Sequence, residues 1–128
     1  MSKIQNPKQK PARTKKYDLE DRTYNFAKKC RDFINQLPKT LTSIEYSKQL
    51  VRTSGSQAAN YIEANECLSR KDFSHRIKIC RKEAKESRLW LRLCQVGKDE
   101  ILEKMQIELV QEASELTKIF GSILEKCK

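Results

Sequence analysis

Apolar residues recur at alternating intervals of four and three positions through most of the chain, the spacing of one face of an α-helix. Asp18 is a candidate N-cap for the first such segment, with Asp21 three residues on. A helix seldom continues through the residue before a proline, so Pro38 is expected to end it. The predicted buried stripe of this first helix is Leu19, Thr23, Phe26, Cys30, Phe33 and Leu37.

The second helix is predicted from a capping-box pattern at Thr42 and Glu45 and extends over roughly residues 43–67. Its predicted inner stripe is Ile44, Val51, Gly55, Ala58 and Ile62, flanked by Leu50, Ser54 and Tyr61. Glycine costs a helix interior about 1 kcal/mol relative to alanine. We therefore expect Gly55 to mark a place where two helices approach closely.

Two further helices complete the predicted fold. Ser69 and Asp72 form a box-like start for the third helix, Gly97 ends it, and Asp99 opens the fourth. The third helix has the stripe Phe73, Ile77, Cys80, Ala84, Ser87, Leu91 and Cys94, and the fourth has Ile101, Met105, Leu109, Ala113, Leu116, Ile119, Phe120 and Ile123. Short loops favour antiparallel neighbours, so residues 17–128 are predicted to form an all-α, up-down-up-down four-helix bundle.

The net charge of +10 is unevenly distributed along the 128 residues. Residues 1–16 carry six basic and no acidic groups, and residues 70–97 carry nine basic against three acidic groups. The remaining segments are neutral or slightly acidic. With Pro7 and Pro11 and hardly any apolar residues, residues 1–16 are predicted to be a disordered basic arm. Such an arm can bind RNA, bind an acidic membrane, or bind nothing specific.

The basic residues of the third helix are segregated on one side. At 100° per residue, eight of them fall within roughly 120° without an intervening acid, namely Arg70, Lys71, Lys78, Arg81, Lys82, Lys85, Arg88 and Arg92. Like charges three or four residues apart destabilise a helix, so a helix that keeps five such pairs is expected to use them. Nucleic-acid phosphates are the favoured ligand, with central contacts from Arg81, Lys85, Arg88 and Arg92. A solvated face and an acidic protein partner are the alternatives.

A set of polar residues and a second apolar strip lie outside these stripes. Ser54, Asn60, Glu63, Glu83 and Glu86 are interpreted as a hydrogen-bond network that fixes helix register, and the alternative is an acid–base or metal site. With one histidine, no phosphate loop and no evident activated nucleophile, we expect no enzymatic activity, metal or cofactor. Ile79, Trp90 and Leu93 form the second strip, which predicts a subunit interface or a surface under a long loop.

The five cysteines and the hydropathy of the chain limit its location. The cysteines include no close pair and fit neither a disulfide framework nor a zinc site. Cys30, Cys80 and Cys94 lie on apolar stripes, which is typical of free thiols in a reducing cytoplasm. No apolar run is long enough to predict a membrane span or a secretory signal.

Five ordered segments carry a resemblance to a known family: 17–23 (YDLEDRT), 37–41 (LPKTL), 49–56 (QLVRTSGS), 59–66 (ANYIEANE) and 81–87 (RKEAKES). Over about residues 17–95 the chain resembles the four-helix bundle proteins of the 23S rRNA intervening-sequence family, named for reading frames inside insertions in 23S rRNA genes. That family is similar to the accessory variability protein of diversity-generating retroelements, a pentamer whose basic surface binds nucleic acid. The resemblance implies a homopentamer and a nucleic-acid role, and it implies no enzymatic activity.

Overall fold

The computed structural model describes residues 18–128, so the predicted basic arm lies outside the described residues. Four α-helices follow one another along this part of the chain: α1 (Leu19–Ile34), α2 (Leu41–Glu66), α3 (Arg70–Leu93) and α4 (Glu100–Lys126). Residues 18–128 contain no β-strand, and none of their helices is both long and apolar enough to cross a membrane. The predicted all-α fold is confirmed.

Each helix begins at a side chain that accepts a hydrogen bond from a backbone N–H three residues further on. These N-caps are Asp18, Thr40, Ser69 and Asp99. They satisfy amide groups that have no partner within the first turn of a helix. The predicted capping box at Thr42 is wrong, because Thr40 has the extended backbone of a cap and accepts from the N–H of Ser43. At the other end of α3, the helix stops at Leu93, four residues before Gly97, whose φ is +70°.

The four helices pack in a closed ring in which each contacts the helices before and after it, and α1 also contacts α4. The hydrogen bonds between α2 and α3 pair residues in reverse order along the two helices. Arg76, in the first half of α3, donates to Asn60, in the second half of α2, and Ser87, later in α3, donates to Thr53, earlier in α2. These contacts are consistent with the antiparallel up-down-up-down order.

The predicted stripes of α1 and α3 form the core. Phe26, Phe33 and Phe120 are its largest buried side chains. The remaining apolar core residues include Cys30, Ile77, Cys80, Ala84, Leu91, Cys94, Leu109, Ala113 and Leu116. One position of α4 was wrongly predicted, because Ile101 is 74% exposed and the next residue, Leu102, is buried instead.

The predicted inner stripe of α2 is wrong. Ile44, Val51 and Ile62 are 41%, 55% and 46% exposed, and a Cβ atom added to Gly55 would meet nothing within 4 Å, so no other helix of residues 18–128 approaches Gly55 closely. The buried face is the one turned by about 120° from the predicted stripe, and it consists of Ser43, Leu50, Thr53, Ser54, Gln57 and Ala64. Two of its polar residues hydrogen-bond to neighbouring helices: Gln57 Nε2 donates to the carbonyl oxygen of Thr23, and Thr53 Oγ1 accepts from the hydroxyl of Ser87.

Candidate nucleic-acid interface

All eight cations of the predicted sector are exposed on α3, and we call them the basic face. Lys82 is the only one of them within salt-bridge distance of a carboxylate in residues 18–128. Its Nζ lies 3.7 Å from an oxygen of Glu83 and 3.9 Å from an oxygen of Glu86. The other seven have no such partner among the described residues. The face therefore presents positive charge that the rest of the bundle does not neutralise.

The basic face points outward because the opposite side of α3 is fully used by the core. Ile77, Cys80, Ala84, Ser87 and Leu91 are each 0% exposed. A helix whose apolar side is fixed in this way has its orientation about its own axis fixed as well. The long side chains of the basic face are thus presented together to solvent, where their summed field attracts polyanions.

The positive surface continues from α3 onto α4. Lys118 of α4 and Lys128, which follows the end of α4, line a common groove with Lys78 and Arg81 of α3. The sequence of the fourth helix does not predict this positive surface, because the helix has an excess of acids and its lysines are scattered. Only the packing of α3 against α4 places Lys118 beside the basic face.

The predicted polar cluster does not form one network. Asn60 lies at the contact of α2 with α3, where its Nδ2 donates to the Ser56 carbonyl oxygen (2.9 Å) and its Oδ1 accepts from Arg76 Nη1 (2.8 Å). Glu63 is exposed, and its side chain has no hydrogen bond or salt bridge within the described residues. Arg76, which lies outside every predicted stripe and sector, is the group that joins Asn60 to α3.

Of the other members of the predicted cluster, Glu83 and Glu86 both lie near Lys82, and Ser54 is separate from them. Ser54 is buried and its hydroxyl donates to the carbonyl of Val51 in its own helix, at 3.4 Å. Glu83 is 5% exposed and its Oε1 has no hydrogen-bond partner, whereas Glu86 is partly exposed. Within residues 18–128 no three His, Cys, Asp or Glu side chains are placed to hold a metal ion.

A different set of polar residues joins the helices inside the bundle. Gln57 is fully buried, and its Nε2 donates to the carbonyl oxygens of Thr23 (2.8 Å) and Ser54 (3.1 Å). The hydroxyl of Ser87 donates to that of Thr53 at 2.8 Å. These bonds join α2 to α1 and to α3, so they fix the helix register that was attributed to the predicted polar cluster. Thr23 and Ser87 could have indicated this network, since both are polar residues at predicted core positions.

The second apolar strip of α3 is partly used within the chain. Trp90 stacks on Tyr46 of α2 with 6.0 Å between ring centroids. Ile79 is partly buried and Leu93 is 39% exposed. The predicted role of these residues in a subunit interface stays a prediction, and the larger exposed apolar surface lies on α2.

The three thiols in the core have low reactivity. Burial raises the pKa of Cys30 and Cys80 to about 12 and that of Cys94 to about 11. A thiol reacts as its thiolate, so these three are protected near neutral pH. All five cysteines of the chain are free.

Fold and surface together define an all-α four-helix bundle with one segregated basic face. The family model of the 23S rRNA-intervening sequence protein matches residues 15–122, and the chain belongs to that family. The resemblance noted in the sequence is thereby confirmed, and the match extends into α4, where the sequence showed only a pattern.

A solved structure is also similar to the chain. It is the crystal structure of a protein of unknown function from the S23 ribosomal protein family of Bacteroides thetaiotaomicron. The two share 28% sequence identity with a TM-score of 0.70, over 82% of this chain and 96% of that one. No curated protein matches the chain.

Proposed function

We propose that this protein is a non-enzymatic, oligomeric nucleic-acid-binding bundle that contacts the phosphate backbone of RNA or DNA through the basic face of α3. The observation that carries the proposal is the exposure of eight cations on one side of a helix, seven of them without a carboxylate partner among the described residues. A face that only solubilises a helix usually mixes charges of both signs. The five free cysteines fit the reducing cytoplasm in which we propose that it acts.

Seven of these cations have no carboxylate partner among the described residues, and bound phosphate groups would neutralise their charge. Each phosphate neutralised by a lysine or arginine releases condensed counterions, which favours binding at low salt. We propose Arg81, Lys85, Arg88 and Arg92 as the central contacts, with Lys71, Lys78 and Lys82 at the margin. Contacts of this kind position a protein on nucleic acid without reading its sequence.

The binding test is a fluorescence-anisotropy titration of structured RNA and duplex DNA at several salt concentrations. Replacing Arg81, Lys85 and Arg88 with Gln removes three phosphate contacts, so affinity should fall at least about tenfold. The slope of log affinity against log salt should flatten by roughly 2 to 3. The control replaces Lys28, Lys29 and Lys104, which are exposed elsewhere, with Gln. It makes the same change in net charge and should have a much smaller effect.

Two outcomes would contradict the binding proposal. The first is a parent protein that does not bind either nucleic acid at low salt. The second is an equal loss of affinity in the two triple variants, which would reduce the effect to net charge alone. If the parent instead binds an acidic protein and no nucleic acid, the basic face belongs to a protein-interaction scaffold.

We also propose that the chain assembles with itself, in five copies as the family resemblance implies. The exposed apolar residues of α2 support self-association, because Ile44, Val51 and Ile62 have no partner within residues 18–128 that covers them. Light scattering should give a mass near five times 15.0 kDa. Val51→Glu should lower that mass, whereas Leu68→Glu, in the loop before α3, should leave it unchanged. A monomeric parent at micromolar concentration would contradict the assembly.

A further inference from the structure

An open groove of about 800 Å³ separates the basic face from α4. Four cations line it: Lys78, Arg81, Lys118 and Lys128. Its one acid, Glu125, already accepts a hydrogen bond from Lys128 Nζ at 3.0 Å. Lys78, Arg81 and Lys118 have no carboxylate within salt-bridge distance among the described residues. Cations from two helices therefore converge on one groove without internal compensation.

Arg81 packs against α4 at Gly121. Its Nε lies 3.5 Å and its Cζ 4.0 Å from the position that a Cβ atom of residue 121 would occupy, which is ordinary van der Waals contact. The guanidinium therefore lies against the surface of α4, at the groove that Lys118 also lines.

The rest of the lining suits an oxyanion with several acceptor oxygens. Ser74 of α3 and Ser122 of α4 supply hydroxyl groups on the two sides of the groove. Thr117 uses its hydroxyl proton on the carbonyl of Ala113, so it cannot donate the same proton to a ligand. Guanidinium and ammonium donors make strong, charge-assisted hydrogen bonds to phosphate oxygens.

Building on the proposed function, we propose that this groove is the phosphate seat of the interface and holds one phosphodiester group between Arg81, Lys78 and Lys118. Residue 121 borders the Arg81 guanidinium, so a side chain larger than a methyl group there is expected to displace it. The seat would give nucleic acid one fixed point of attachment at the edge of the basic face.

Two variants test the seat by anisotropy with the same RNA and DNA. Lys118→Gln should weaken binding about five- to tenfold, because it removes one charge-assisted contact. Lys104→Gln is the matched control, with the same charge change at an exposed position of α4 outside the groove. It should change affinity less than twofold. Gly121→Leu keeps the net charge and displaces the Arg81 guanidinium, and should also weaken binding severalfold, with folding checked by circular dichroism.

A second measurement separates the phosphodiester from free phosphate. Binding is titrated at constant ionic strength in chloride and again with inorganic phosphate in its place. If phosphate competes for the seat, it should weaken RNA binding by the parent more than by Lys118→Gln. Equal weakening in both proteins would mean that phosphate acts elsewhere, which counts against the seat.

The possible results distinguish this inference from the function on which it rests. If the parent binds nucleic acid but Lys118→Gln and Lys104→Gln weaken it equally, the seat is wrong and the basic face remains. If the parent does not bind nucleic acid at low salt, the proposed function itself fails. A Gly121→Leu variant that does not fold leaves the comparison of Lys118 with Lys104 to decide.

Discussion

Cations on one side of α4 are paired with carboxylates, and cations on its other side are not. On the flank facing α1, the guanidinium of Arg22 makes two hydrogen bonds to Glu112, at 2.8 and 2.9 Å, and one to Glu115, at 2.8 Å. On the flank facing α3, Lys78 and Arg81 have no carboxylate partner in residues 18–128. The same helix thus borders a compensated cation on one side and uncompensated cations on the other.

This difference indicates which charges serve the fold. The hydrogen bonds to Glu112 and Glu115 raise the pKa of Arg22, which means that the folded state favours its charged form. A two-oxygen contact of this kind also fixes the geometry between α1 and α4. The cations facing α3 receive no such stabilisation, and their mutual repulsion opposes folding. Charges that cost stability and remain exposed are the ones that a ligand can use.

The largest effect on nucleic-acid affinity is expected from adding a carboxylate to the side of α4 that faces α3, so that its cations are paired like Arg22 on the other side. Ser122→Glu places a carboxylate in the groove beside Arg81 and Lys118. It should lower nucleic-acid affinity about tenfold, because one phosphate contact is replaced and the rest are weakened. The free energy of unfolding should rise by a few tenths of a kcal/mol, as for exposed ion pairs. Anisotropy and urea denaturation measure the two changes.

The control for that variant is Ser122→Gln, which changes helix propensity similarly without adding charge. It should leave affinity nearly unchanged. If Ser122→Gln weakens binding as much as Ser122→Glu, the loss is steric and the contrast between the flanks has no electrostatic content.

The elements that the sequence predicted well are those determined by local chemistry. Asp18, Ser69 and Asp99 were recognised as caps because a cap depends on residues only three positions apart. The stripes of α1 and α3 were recognised because their apolar residues occupy a single helical face. The basic face followed from the same periodicity, since it is one side of one helix.

Helix α2 was misread because its two candidate faces differ little in hydropathy. Val51 and Ile62 suggested one face, whereas Thr53 and Gln57 define the buried one through bonds to other helices. A polar side chain can be buried when it has a hydrogen-bond partner in the core. When that partner lies on another helix, the spacing of residues within one helix does not reveal it.

Contacts between distant segments were also beyond the sequence pattern. Arg22 and Glu112 are 90 residues apart along the chain. Gly121 and Arg81 meet only because α4 packs against α3. Periodicity shows which face of a helix is buried, but the neighbouring residue on the next helix depends on the relative rotation and translation of both.

The smallest effect on nucleic-acid affinity is expected on the side of α4 that faces α1, where Arg22→Gln removes the cation that is paired with Glu112 and Glu115. Its side chain is 37% exposed, so water screens the interaction and the free energy of unfolding should fall by about 1 kcal/mol near neutral pH. Hydrogen bonds from Gln111 and Arg22 lower the pKa of Glu115 below its usual value of 4.5. A lowered pKa stabilises the fold above the unfolded value, and this contribution is lost as the pH falls through the folded value.

Parent and Arg22→Gln should therefore differ most near neutral pH and converge as the pH falls through the lowered pKa of Glu115. Urea denaturation from neutral to acidic pH measures the difference. Arg31→Gln is the control. Among residues 18–128, Arg31 pairs only with the adjacent Asp32 on an exposed surface, so its replacement should lower the free energy of unfolding by a few tenths of a kcal/mol at most. Neither variant should alter nucleic-acid affinity beyond the effect of one unit of net charge. A loss of binding in Arg22→Gln as large as in Lys118→Gln would show that both flanks serve the ligand, and the contrast between them would fail.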